Sequence, residues 1–379
     1  LSLEAADKIS ENVIGTVGLP LSIAPNFVIN GKEIVVPMAI EEPSVVAAAS
    51  YSAKLARAGG GFTTSYTGSV MIGQVQIVGV KDVGKAVGEI EKRKEEIVKK
   101  ADGYAGHLHP YGGGVKDVCA REINTDRGKM LIVEFAVNVA DAMGANAVNT
   151  VLEKIAPELV KIAGGEVRIK ILTNLSTMRM ASARAIWKKE EIGGERVVES
   201  ILDAWTMAMA DIYRRATHNK GTMNGIDAVA IACGQDWRAV EAGAHTYSAM
   251  KNGALTLFRK TPEGNLEGKI LLPMAVGTVG GSIGINPTAK LSLKILGVEK
   301  AEELAQVMAA VGLAQNFAAI RALADEGIQK GHMKLHARNV AMGAGAKGKE
   351  IGKVVENMNK NGEISGKSAK EALKEIRKR

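Results

Sequence analysis

Cysteine is almost missing from this chain: Cys119 and Cys233 are the only two in 379 residues. Two thiols make no disulfide framework and fit a reducing cytoplasm. Aromatic residues make up only 4% of the chain. No uninterrupted apolar run approaches the roughly 18–20 residues of a membrane span, so no membrane association is expected. No GxGxxG follows a strand and opens a helix, so the Rossmann fingerprint is absent. No metal is expected.

The chain exceeds one typical domain, so two or three units are expected. Hydrophobic residues at 46% and charged residues at 24% are ordinary for a globular protein, while Gly (43) and Met (15) are abundant. With so few rings, the core should be built of aliphatic helices, with glycines where backbones or ligands approach closely. The net charge of +8 is concentrated late: residues 341–379 hold ten Lys/Arg against five Glu, net +5. That tail lacks interleaved aromatics, so nucleic acid is not the expected partner. A basic segment closing over phosphates fits better.

The chain is organised around residues 211–238, DIYRRATHNKGTMNGIDAVAIACGQDWR. The apolar run Ala228–Cys233 is about strand length and flanked by glycines, which predicts a buried strand with Lys220 in the polar turn before it. Asp236 at the far end is a candidate carboxylate partner for Lys220. Such a pair could hold a cation beside a carbonyl on which negative charge develops. The same residues also read as a structural salt bridge or two solvated groups.

Elsewhere, Phe27–Lys32 carries an Asn-Gly hairpin signal leading into a second strand at 33–40; residues 16–25 read as irregular. Glu41-Glu42-Pro43-Ser44 reads as the start of a helix over 44–57. Between about 69 and 174 the order β-α-β-β-α-β predicts a ferredoxin-like unit. Within it, Asp141-Ala142-Met143-Gly144-Ala145-Asn146 opens a long helix, and such a start either receives a pyrophosphate or is a plain cap. Residues 177–210 read as helical around a polar hinge at 188–196. Residues 299–327 form the longest helix candidate, apolar nearly all round and therefore buried.

ENVIG, EEPSVVAAAS, DAMGAN, ATHNKG, MNGID, GQD, AVEAGAH, GTVGG and LHARN together resemble the class II hydroxymethylglutaryl-CoA (HMG-CoA) reductases over nearly the whole chain. The resemblance implies reductive deacylation: HMG-CoA and two NADPH or NADH give mevalonate, CoA and two oxidised nicotinamides, with no metal. It implies Glu42, Lys220, Asp236 and His336 as the catalytic set, and Ser44, Arg214 and Asn224 as substrate contacts. Asp141, Met143, Gly144, Asn146 and Asn174 would hold the cofactor. In that scheme Lys220, held by Asp236, polarises the thioester carbonyl. His336 protonates the departing thiolate, and Glu42 with Lys220 supplies the proton for the second reduction.

The implied fold is α+β. A large, mainly helical substrate and dimerisation domain (1–68 and 175–330) with a central buried helix would carry an inserted ferredoxin-like cofactor domain (69–174). A small, mobile C-terminal helical domain (331–379) would follow. The family builds its site across a dimer, so a cytoplasmic homo-oligomer is expected, and ENVIG is expected near its interface. Class II relatives usually have a few tens of residues before ENVIG, so an N-terminal piece is expected to precede Leu1.

The sequence departs from the family pattern in three places. GQD stands where class II members more often have GND. Residues 282–285 (SIGI) are more apolar than usual. The acid that NADH-preferring members carry before the triple glycine is out of register here: Asp102 is the nearest, while His107 and His109 are potential phosphate donors. This favours NADPH. The alternatives are a mevalonate-oxidising NAD-dependent member of the family, a CoA-thioester hydrolase or acyltransferase using Cys233, and a non-catalytic nucleotide-binding protein.

Overall fold

The computed structural model describes residues 2–324 and 337–378. After the short α1 (Leu3–Asp7), the chain forms a hairpin of β1 (Leu21–Ile29) and β2 (Lys32–Ala39). Ile29 pairs with Lys32 across a two-residue turn in which Asn30 and Gly31 both have positive φ, as an Asn-Gly hairpin requires. β1 starts at Leu21, within the stretch expected to be irregular, and a register shift between Ala24 and Phe27 accommodates Pro25. α2 (Val45–Ala56) and β3 (Phe62–Tyr66) follow.

The next segment builds a four-stranded sheet from β4 (Val70–Val78), β5 (Gly114–Thr125), β6 (Gly128–Asn138) and β7 (Glu166–Leu172). Its order is β5-β6-β4-β7 and every pairing is antiparallel, the ferredoxin-like arrangement. α3 (Val83–Lys92), α4 (Lys94–Tyr104) and α5 (Ala145–Ala163) supply the helical layer. β4 alternates in burial; Met71, Gly73, Val75 and Ile77 face the core. Gly73 is there because a Cβ would sit 2.5 Å from Val148 of α5.

The larger core contains a six-stranded sheet, β2-β1-β3-β8-β10-β9, completed by β8 (Met180–Trp187), β9 (Thr256–Lys260) and β10 (Leu266–Pro273). Its helices are α2, α6 (Lys189–Ile192), α7 (Glu195–Ala210), α8 (Ile212–Ala232), α9 (Trp237–Lys251), α10 (Pro287–Leu296) and α11 (Ala301–Ala324). The scarce aromatics collect here: Trp187 stacks on Phe317 with centroids 4.0 Å apart, and Phe62, Phe27 and Phe258 continue the chain of rings. A separate small cluster gathers Ala337 and Ala341 with Val354 and Met358 of the helix Lys349–Asn361 and Leu373 of the helix Gly366–Lys378.

Three expectations change. Residues 228–232 end α8 and Cys233 is its C-cap, so the run is not a strand and Lys220 lies mid-helix rather than in a turn. The apolar run lacks a polar face because α8 is buried against α11. Gly225 does not end the helix; it lets α11 approach, since a Cβ would lie 2.9 Å from Gln315. Gly312 of α11 answers it, with its own would-be Cβ 2.6 Å from Ile226. Residues 180–187 are a strand, not a helix: Ala181, Ala183, Ala185 and Trp187 face inward and Arg184 outward. Alanine at the inward positions hid the period of two. Finally, α11 is long and apolar enough by composition to cross a membrane, although 67% of that window is buried in this chain's own core.

Candidate active site

α8 carries the first cleft. Asp211 caps the helix by accepting from the Arg214 N–H at 2.6 Å. One helix face then presents Arg214, Thr217, His218, Gly221 and Asn224, spaced three and four residues apart, with Lys220 beside them. Together with Glu42, Asn316, Ala319, Ile320 and Leu323 they line a cavity of about 170 Å³. Lys220 Nζ donates to Glu42 Oε2 at 3.0 Å, joining residues 178 apart in sequence. Both side chains are partly open, 59% and 37% exposed. Ser44 adopts the left-handed conformation (φ 77) at the start of α2, and its Oγ is buried with no hydrogen-bond partner.

Beneath Lys220 lies a polar network that sequence reading missed. His218 is 2% exposed, and Nε2 lies 2.7 Å from Thr256 Oγ1. The Thr256 hydroxyl hydrogen is used on Asn316 Oδ1 at 2.8 Å, and Asn316 Nδ2 donates to the His218 carbonyl. His218 must therefore donate from Nε2, leaving Nδ1 as a bare acceptor, and Nδ1 is buried without a partner. Burial, reinforced by the Arg214 charge, pushes this imidazole down to about 4. Asn219 bonds Ser248 and the Leu255 N–H. These two anchors fix the helix turn that carries Lys220. The only local signal was the run of polar side chains in a helix otherwise closely packed.

The second cleft, of about 450 Å³, forms where α5 begins. Its wall is Ala142, Met143, Gly144, Ala145, Asn146 and Ala147 on one side and Gly234, Gln235, Asp236, Arg238, Gly277 and Gly281 on the other, with His107 at the edge. Gly144 has φ +110 and a Cβ there would meet Val139 at 2.8 Å. A Cβ on Gly277 would lie 2.6 Å from Met143 N. The Gln235 amide pairs with both backbone groups of Gly277, at 2.8 and 2.9 Å. Glycine at these points leaves a backbone cradle at a helix N-terminus, which fits the phosphates of a dinucleotide. Among the described residues no cluster of His, Cys, Asp or Glu could hold a metal.

The other candidates divide. Asp236 lies in this second cleft; it caps α9 by accepting from Ala239 N at 3.1 Å and pairs with Arg238 at 3.2 Å. It is not the partner of Lys220 within one chain. α8 runs a further twelve residues past Lys220 before ending at Ala232, about 18 Å of helix at 1.5 Å per residue. Asp141 spends its carboxylate on the start of α11, accepting from Ala301 N at 2.8 Å, instead of facing the cleft. Asn174 is exposed and does not line the cleft. Met143, Gly144 and Asn146 do. His336 lies outside the described residues. Cys233 is fully buried and its thiol is pushed up to about 12, which removes it as a nucleophile.

Comparison with known proteins then supplies a frame. The sequence model of the hydroxymethylglutaryl-coenzyme A reductase family matches residues 1–337. The chain is 56% identical over 378 residues to the 3-hydroxy-3-methylglutaryl-coenzyme A reductase of Archaeoglobus fulgidus, covering 100% of this chain and 87% of that one. It is 35% identical over 344 residues to a probable reductase of Borreliella burgdorferi, covering 87% and 77%. Its fold is similar to the class II reductase from Streptococcus pneumoniae solved bound to NADPH in open conformations. There the TM-score is 0.84 and the identity 40%, covering 99% of this chain and 92% of that one.

Proposed function

The chain belongs to the hydroxymethylglutaryl-coenzyme A reductase family, and from that premise we propose that it reduces HMG-CoA to mevalonate with release of CoA. The observation that carries the reading is the Lys220–Glu42 pair at 3.0 Å, in a cleft shared with Arg214 and Asn224. Arg214 suits the HMG carboxylate, to which a guanidinium binds through paired hydrogen bonds. Asn224 lines the cleft and suits a remaining substrate oxygen; Ser44 is not among the lining residues, but its buried, unsatisfied Oγ close in sequence to Glu42 suits another. Lys220 donates to the reacting carbonyl oxygen as negative charge builds on it. Glu42, in hydrogen-bond contact with Lys220, exchanges the proton that the second reduction consumes. His336 gives a proton to the departing thiolate. Met143, Gly144 and Asn146 of the second cleft would hold the nicotinamide cofactor, whose chemistry when bound would be to supply the hydride for each of the two reductions.

In this reading the large core holds the substrate and the ferredoxin-like unit the cofactor. The C-terminal helices close over the site, in a cytoplasmic protein. Because Lys220 and Asp236 serve different clefts of one chain, we assign their meeting to a second copy: the Asp236 side of one protomer completes the Lys220 side of the other. Exposed apolar side chains beside the first cleft, Ile212 at 70% and Tyr213 at 84%, suit such a contact. NADPH is the better cofactor. Asp102 is engaged by His109 at 3.0 Å and by Val115 N at 2.8 Å, so it is not free for a ribose hydroxyl, while His107 edges the cleft.

The test is an assay of purified protein with HMG-CoA and NADPH, following nicotinamide absorbance and free thiol together. Two cofactors oxidised per thiol released is the expected result. Thiol release without cofactor oxidation would mark a thioester hydrolase, and no turnover in either direction a binding protein. A kcat/KM more than about tenfold higher with NADH would reverse the cofactor assignment.

A further inference from the structure

Arg179 is fully buried, yet its partners are neutral: Nε donates to the Tyr66 hydroxyl at 2.7 Å, Nη1 to the Ala142 and Met143 carbonyls at 3.1 and 3.0 Å, and Nη2 to the Val276 carbonyl at 2.5 Å. A guanidinium keeps its proton even when buried. Four oxygen dipoles therefore solvate a full positive charge with no acid among its partners, an arrangement that is costly unless it serves something. Three of the four come from the walls of the second cleft or the residue just before one of them.

The peptide geometry gives the consequence. In a planar trans peptide the N–H points opposite to the C=O. With the Ala142 and Met143 carbonyls drawn onto Arg179, the N–H groups of Met143 and Gly144 must point away from it. Neither N–H has a hydrogen-bond partner among the described residues, and both residues line the cleft. Successive N–H groups turned to one side, backed by a cation, make an anion site.

We propose that Arg179 is the positioning residue of the cofactor cleft: it turns the Met143 and Gly144 amides outward as donors to the cofactor's pyrophosphate and sets a positive charge behind them. This rests on the assignment of that cleft to the nicotinamide cofactor. The second wall is held in the same way. The Val276 carbonyl reaches the same guanidinium while Gln235 grips Gly277, so Arg179 also fixes how far the two walls stand apart.

The experiment uses the full chain. NADPH and HMG-CoA dissociation constants, steady-state constants and thermal melting are measured for wild type, Arg179→Gln, Arg179→Lys and Tyr66→Phe. Arg179→Gln should weaken NADPH binding by about tenfold or more, as expected for loss of charged hydrogen bonds, with HMG-CoA binding within about twofold. Saturating NADPH should restore most of kcat, and Arg179→Lys should recover part of the affinity by keeping the charge. Tyr66→Phe removes one acceptor outside the cleft wall and should lower melting while leaving NADPH affinity within about twofold. Equal weakening of both ligands, or unchanged NADPH affinity in a folded Arg179→Gln protein, overturns the proposal. Ala145→Trp, which fills the cleft itself, separates the two readings. If it binds NADPH normally, the cleft assignment fails and this proposal with it. If it loses NADPH while the Arg179 variants keep it, only the role of Arg179 fails.

Discussion

The two clefts are built from opposite materials. The α8 cleft is lined by charged and polar side chains on a helix, held by a buried hydrogen-bond network. The α5 cleft brings the start of a helix and several glycines to its wall, with Gly144 and Gly277 at points where a Cβ would collide. Side chains can present a proton or a charge to a changing reaction centre, whereas a backbone cradle offers fixed dipoles to a constant anion. In the proposed reading the α5 cleft holds the cofactor and contributes Asp236 alone to the chemistry, across the dimer, while the other described reacting groups sit on the α8 side, so substitutions should fail differently in each.

The largest expected effect is at Lys220. Replacing it with alanine should lower kcat by about a thousandfold or more, as for loss of a principal electrostatic group, while NADPH binding stays within about twofold. Substantial turnover in that variant would remove the contrast between the clefts. The next effect is pH dependence confined to the α8 cleft. The unfolded chain protonates His218 below its ordinary 6.5, but the folded chain only below about 4. His218 therefore contributes a loss of stability as pH falls from 6.5 towards 4, on the order of 3 kcal/mol, while Asp227 of the same helix, its carboxyl pushed up by burial and by Glu241, works in the opposite direction over that window. Denaturant titrations across that window should show a smaller loss in His218→Gln than in wild type; equal losses would mean the imidazole is not held neutral.

A smaller effect is expected in the backbone cradle. Gly277→Ala sets a methyl 2.6 Å from Met143 N and should destabilise by about 1–3 kcal/mol through overpacking. Its KM for NADPH should rise while its KM for HMG-CoA holds; a rise in both would deny the separation. The smallest change is at Ser44. Its hydroxyl has no protein partner to lose, so Ser44→Ala should leave melting unchanged and raise only the HMG-CoA KM, by a factor of a few.

The ferredoxin-like unit was readable because its strands have one wet face: Gln74 and Gln76 alternate with Val75 and Ile77, and a period of two survives in the letters. The large core was harder. α8 is packed on several sides, so residues 228–233 show no polar stripe, and glycine at 225 reads as punctuation although it marks a helix crossing. β8 was lost to its alanines. At the site, Lys220, Glu42, Arg214 and Asn224 were legible through motifs and do share a cleft. The pairing of Lys220 with Asp236 was not legible, because sixteen residues of separation say nothing of direction until the intervening helix carries them apart. His218 and Arg179 escaped because their roles come from partners distant in sequence, Thr256 and Asn316 for one and the Ala142–Met143 carbonyls for the other.

The most direct measurement of the two-cleft account is complementation. Lys220→Ala and Asp236→Asn proteins, each inactive alone, are co-refolded or co-expressed and assayed as a mixture. If each site takes Lys220 from one protomer and Asp236 from its partner, half the dimers are mixed and each holds one intact site, giving about a quarter of wild-type activity. A mixture as inactive as its components would contradict the account.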